Sequence, residues 1–181
     1  MKPAALVLFV LSVWGCDPRP TSTTAESAEL DGVRVAQAID SLMPHLGPEP
    51  SLLELRANGA GVTLQVVRAE TTPPQVVEFH YPFATDGGPD GSVEGPREVP
   101  LRGTGEAQEN AFPLGELDLA KITASFSVAR RAVDPADGRV RELIVRRMLP
   151  FHRSIRARIY VDSPRMSGSI DTNAGGTPLK L

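Results

Sequence analysis

The sequence predicts an α+β fold made of two helix-plus-antiparallel-sheet units, and three observations carry that expectation. Two stretches repeat apolar residues at helical spacing, and each is followed by shorter stretches that alternate apolar and polar residues with period two. Glycine and proline together make up 33 of 181 residues, enough to break the chain into short elements joined by turns. The order of elements, helix and then strands, occurs twice.

Asp31 is the first candidate N-cap, and Val33, Ala36, Ile39, Leu42 and Met43 follow it at helical spacing until Pro44 and Gly47-Pro48. Two strands are predicted at 53–56 and 62–68, flanking Asn58-Gly59, a dipeptide that favours a tight hairpin. After Pro73-Pro74, a strand over 76–83 places Val77, Phe79, Tyr81 and Phe83 on one face and Glu78 and His80 on the other. Residues 84–112 read as loop, interrupted by a short strand over 98–102. A second helix is predicted over 118–133, with Leu119, Ile122, Phe126, Ala129 and Val133 inward, stopped by Asp134-Pro135-Ala136-Asp137-Gly138. Strands over 139–147 and 154–162 come next. In the latter Ile155, Ala157, Ile159 and Val161 face inward, while Arg156, Arg158 and Tyr160 face out. A final strand or two falls within 165–181.

A tandem duplication with halves 31–103 and 112–181 is one origin of such an order. A shift of 78 residues sets Val62 on Val140, Val77 on Ile155, and Pro100-Leu101-Arg102 on Pro178-Leu179-Lys180. By element order alone, residues 31–181 resemble PepSY-type and β-lactamase-inhibitor-protein-like modules of bacterial envelopes. No functional residue is carried over from that resemblance.

The N-terminus is organised differently. Met1-Lys2-Pro3 is followed by an uncharged run, Ala4 to Trp14, of a length that suits a secretory signal core and is too short to span a bilayer. The run ends at Val13-Trp14-Gly15-Cys16, which resembles the lipobox of bacterial lipoproteins: an aliphatic residue three before the cysteine and a small one directly before it. Trp14 is bulkier than the residue usual there. The resemblance implies that residues 1–15 are a removable signal and that Cys16 carries the lipid, palmitate among its acyl chains. It also implies a protein anchored in the bacterial cell envelope and facing the periplasm. The other reading is an ordinary signal peptide with Cys16 incidental. Cys16 is the only cysteine, so no disulfide forms within the chain. Residues 16–30, poor in apolar side chains and rich in Thr, Ser and Glu, read as a disordered tether ahead of an α+β domain over 31–181.

Motifs that carry chemistry are few. His45, His80 and His152 share no metal-binding spacing, so no metal site is predicted. There is no G-x-S-x-G elbow and no S-x-x-K pair. Gly103-Thr104-Gly105 is a fragment of a dinucleotide fingerprint without the strand that such a loop needs. In residues 86–94, Gly87, Gly88 and Pro89 precede Asp90-Gly91, and Gly88 leaves an alternate ligand position without oxygen, which favours a plain flexible loop over an EF-hand-type site. Glu54, Glu78 and Glu142 stand as scattered carboxylates whose spacing tests nothing. No catalytic residue and no cofactor is predicted, and nucleic acid is not an expected partner.

Charge distribution says more. Formal net charge is −3, becoming −4 without Lys2, yet eight arginines fall between Arg139 and Arg165 against only Glu142 and Asp162. Arg146, Arg147, Leu149, Phe151, His152, Arg153, Arg156 and Arg158 form the candidate contact surface, an apolar turn ringed by cations. The alternative is that Leu149 and Phe151 fold onto the core and the arginines form a solvated sheet face. The expected function is a membrane-anchored, non-catalytic binding or assembly module with an envelope protein as partner. Alternatives are binding of anionic lipid or cell-wall polymer through residues 146–158, or an envelope hydrolase with an unrecognised site.

Overall fold

The structure, a computed structural model, describes residues 29–84, 91–100 and 107–179. The expected signal over residues 1–15, Cys16, the expected tether as far as residue 28, most of the 86–94 loop and Gly103-Thr104-Gly105 lie outside the described residues. The chain is α+β with an antiparallel sheet, as the periodicity predicts.

Helix α1 spans Gly32–Leu46, and the Asp31 carboxylate accepts a hydrogen bond from the Val33 amide at 3.0 Å, capping its free N-terminus. Strands β1 (Ser51–Asn58), β2 (Gly61–Arg68), β3 (Gln75–Pro82) and β4 (Glu94–Glu98) follow as a meander. Then come a short helix α2 (Ala107–Asn110), a two-residue strand β5 (Phe112–Pro113) and a 3-10 turn. Helices α3 (Leu119–Ala124) and α4 (Phe126–Val133) precede strands β6 (Arg139–Met148), β7 (His152–Asp162) and β8 (Ser167–Asn173). The eight strands form one sheet in the order β4-β3-β2-β1-β6-β7-β8, with β5 paired to β1 off that path. All pairings are antiparallel.

The two helix-led halves therefore meet at their first strands, with Ala57 opposite Leu143 and Glu54 opposite Arg146. Helix α1 lies over β2 and β3, and α4 lies over β6, β7 and β8. One apolar cluster runs between sheet and helices, from Val35, Leu42, Leu64 and Phe79 to Ile122, Phe126, Ile159 and Ile170. Burying each such large side chain contributes roughly 1.5–3 kcal/mol.

Several expectations need correction. The inward face of α1 is Val35, Ala38, Ile39 and Leu42, whereas Val33, Ala36 and Met43 are exposed. Pro44 sits inside the last turn of α1 rather than ending it, because a missing amide there removes only one hydrogen bond before Gly47 leaves the helix with φ 89°. The second predicted helix is two helices. The Ser125 hydroxyl donates to the carbonyls of Ile122 (2.6 Å) and Lys121 (3.2 Å), competition with the backbone ladder that breaks the run. Leu30, expected at the end of the tether, is buried, and its amide donates to the Val140 carbonyl at 2.8 Å. The short strand lies at Glu94–Glu98, earlier than predicted. The 78-residue shift pairs β2 with β6 and β3 with β7, one strand out of step with the order of elements in each half.

An ion pair between a buried carboxylate and an exposed arginine ties the end of α4 to the β7–β8 turn. Asp134 is only 4% exposed and receives two bonds from the Arg165 guanidinium nitrogen Nη2, at 2.6 and 2.9 Å, and one from Nε at 3.1 Å. It also accepts the backbone amides of Ala136 and Asp137. Arg165 above all, then Ser163 and the two amides, hold its carboxyl well below the usual carboxylate range, against a smaller opposing effect of burial. A depressed folded-state pKa adds stability that is complete above the unfolded value of about 4 and is lost as pH falls towards the folded value. Asp134→Asn keeps the acceptor for both amides and removes the charge. The variant should therefore melt several degrees below wild type at pH 7, and this gap should narrow as pH drops below about 4. Thermal denaturation of both proteins across pH reads this directly. A gap that does not depend on pH would contradict it.

Candidate binding face

Strand parity divides the sheet into two chemically distinct faces. Leu55, Leu64, Phe79, Val145, Ala157 and Ile159 point to the helices. Their neighbours of the other parity build a polar row from strand to strand: Arg97 opposite Glu78, Glu78 opposite Gln65, Gln65 opposite Glu54, Glu54 opposite Arg146, Arg146 opposite Arg156. The next row carries His80, Thr63, Arg56, Ile144, Arg158 and Asp171 in register. Thus the predicted outward set Arg156, Arg158 and Tyr160 is assembled with cations and carboxylates from five other strands.

Most charges on this face are paired. Glu78 binds Arg97. Arg56 lies 3.1 Å from Glu54 and 3.7 Å from Glu142. Asp171 of β8 takes Arg158 through both oxygens, at 2.7 and 2.9 Å, with Arg156 3.7 Å away. The bidentate guanidinium holds the Asp171 carboxyl below the ordinary range, helped by the charges of Arg156 and His152 and opposed by burial. The same pairing raises the Arg158 pKa, so its charge is fixed at any relevant pH. The three scattered glutamates share this face, but each is held by arginine. His80 meets Thr63, its Nδ1 3.0 Å from the threonine hydroxyl.

Over β6, β7 and β8 the face is hollowed into a groove of about 440 Å³. Ile144 and Tyr160 belong to its apolar part, Arg146, Arg156 and Arg158 supply cations, and Phe151 and His152 stand at the hairpin end. Phe151 is 76% exposed, so it does not fold onto the core. The structure thus brings together Arg146, Phe151, His152, Arg156 and Arg158 from the predicted contact surface. Arg147 and Leu149 serve differently. Arg147 Nη1 donates to the Ala111 carbonyl at 2.8 Å, and the Leu149 amide donates to Asn110 Oδ1 at 3.0 Å, fastening the hairpin to the α2–β5 segment. Arg153 is exposed and has the parity of the opposite face. Sequence reasoning missed Asp171, Ile144 and Tyr160 as groove residues. The alternation of β7 already put Tyr160 beside Arg158, but the other two needed strand register.

Among the described residues, no group of three or more histidine, cysteine or acidic side chains is placed to hold a metal ion. No described helix is long and apolar enough to cross a membrane. No protein-family model matches the chain, and neither does any curated protein or solved structure.

Proposed function

We propose that this protein is a lipid-anchored binding module of the bacterial cell envelope, held by Cys16 and presenting to an envelope protein the sheet face opposite the described helices. The observation that supports it best is that face itself. It is broad, regular and lined by charged side chains, and it carries a groove beside an exposed aromatic. An exposed aromatic next to arginines is the combination that anchors protein interfaces. The lipobox-like Val13-Trp14-Gly15-Cys16 supports the tether, and several acyl chains on one residue bind a membrane durably. The helix-then-strands order of each half supports a tandem duplication in which β1 corresponds to β6, β2 to β7 and β3 to β8.

Cells expressing wild type or Cys16→Ala provide the test. Wild type should incorporate labelled palmitate, sediment with membranes and be recovered from neutral-detergent extracts with a defined protein partner. Cys16→Ala should lose label and membrane association while its circular dichroism stays unchanged. Label on the variant would remove the tether. Recovery of wild type without a partner at low and high salt would remove the binding reading.

A further inference from the structure

The groove floor holds a charge arrangement that its own residues leave unbalanced. Arg146 and Arg156 are directly opposite one another on β6 and β7, and like charges in that position repel. Their carboxylates are already engaged elsewhere. Glu54 lies 3.7 Å from Arg146 but 3.1 Å from Arg56. Asp171 lies 3.7 Å from Arg156 while both its oxygens bind Arg158. In addition, Arg156 Nε is shut off from solvent and has no hydrogen-bond partner. A buried donor left unmade is costly, so the guanidinium gains by turning toward the groove, where a carboxylate can meet Nε and a second nitrogen in one fork.

Beside this cationic pair the groove is apolar. Ile144 is 8% exposed at its floor, and the Phe151 ring projects at its end. We propose that the groove binds an acidic side chain of a partner protein on Arg156 and Arg146, with a neighbouring aromatic or aliphatic side chain packed against Phe151 and Ile144. This deepens the binding reading above and rests on it. A peptide fits better than an anionic membrane for two reasons. The surrounding face interleaves Glu54, Glu142 and Asp171 with the arginines, and a uniformly anionic surface would be repelled by them. A recess of about 440 Å³ is also the size of a compact ligand site, suited to one or two side chains and too small to receive a flat bilayer.

The test uses the full chain in uncharged detergent and two labelled hexapeptides. One carries glutamate beside phenylalanine, and the other has glutamine in its place. Fluorescence anisotropy should show the acidic peptide binding at least tenfold more tightly than the neutral one, with affinity falling as salt screens the contact. Arg156→Gln should weaken it at least tenfold and Phe151→Ala several-fold. Arg153→Gln, outside the groove, should leave it unchanged. Phe151 is exposed, so its replacement tests the site even where Arg156→Gln perturbs the sheet. Equal affinity for the two peptides, undiminished binding by the folded Arg156→Gln variant, or no binding of the acidic peptide would overturn the proposal. So would displacement of that peptide by short-chain phosphatidylglycerol at lower concentration than by unlabelled peptide, which would identify a lipid site. Failure here with a partner still recovered from membranes would leave the binding module standing and move its contact elsewhere.

Discussion

Phe112→Ala is expected to destabilise the protein by about 3–5 kcal/mol, the range for emptying a fully buried aromatic position. Among the described residues Phe112 is the largest side chain with no solvent exposure, although it belongs to a strand of only two residues. Its location explains the size of the effect. Strand β6 runs alongside β1 from Asn58 to Glu54 and then diverges, and β5 takes over the vacated edge with Phe112 opposite Leu52. Arg147 and Leu149 are hydrogen-bonded to Ala111 and Asn110 just before it. The ring therefore plugs the core where the sheet would otherwise open and also seats the hairpin that bears Phe151. Urea unfolding should show the full loss for alanine and a smaller one for Phe112→Leu, which refills much of the volume. A loss below about 1 kcal/mol, typical of surface sites, would contradict this placement.

Gly61→Ala should cost about 2–4 kcal/mol, from left-handed strain plus a backbone clash. Gly61 has φ +150°, and a Cβ there would stand 2.2 Å from the Tyr81 carbonyl oxygen and 2.8 Å from the His80 ring. Neither the carbonyl of a paired strand nor a ring bonded to Thr63 moves freely. Gly59 is the instructive control. The Asn58-Gly59 signal predicts a turn, and one forms there, but the described glycines with positive φ are Gly47, Gly61, Gly95 and Gly176. The turn is closed instead by Asn58 Oδ1, which accepts the Ala60 amide at 2.8 Å. Gly59→Ala should thus be the milder change. Equal losses at both positions in the same urea titration would show that the hairpin is strained differently.

Period-two alternation was the most legible signal. It placed Val77 and Phe79, and all four inward residues of β7, on the correct face, because one slip in register would expose the whole set. Helix α1 was less legible. Its apolar residues cover more than half the circumference, so the stripe of Val33, Ala36 and Met43 competes with the stripe that packing selects. Phe112 could not be read as core, since two residues amid glycine, proline and acids carry no period. At the groove, alternation separated Arg146 from Arg147 in principle. Uniting Arg146 with Arg156, and Arg158 with Asp171, depends on the pairing of β6, β7 and β8, including a register shift between Arg146 and Met148. Non-local register of that kind leaves no trace in composition.

The claim that the face opposite the described helices is the contact surface is tested most directly by site-specific photocrosslinking in living cells. A photoreactive phenylalanine would replace Arg56, Arg97 or Tyr160 on that face, and Val33 or Val128 on exposed positions of the helices. The open-face positions should give one crosslinked species of defined mass, with Tyr160, which lines the groove, the strongest. The helix positions should give none. Crosslinks from Val33 or Val128, with silence from all three open-face sites, would contradict the account.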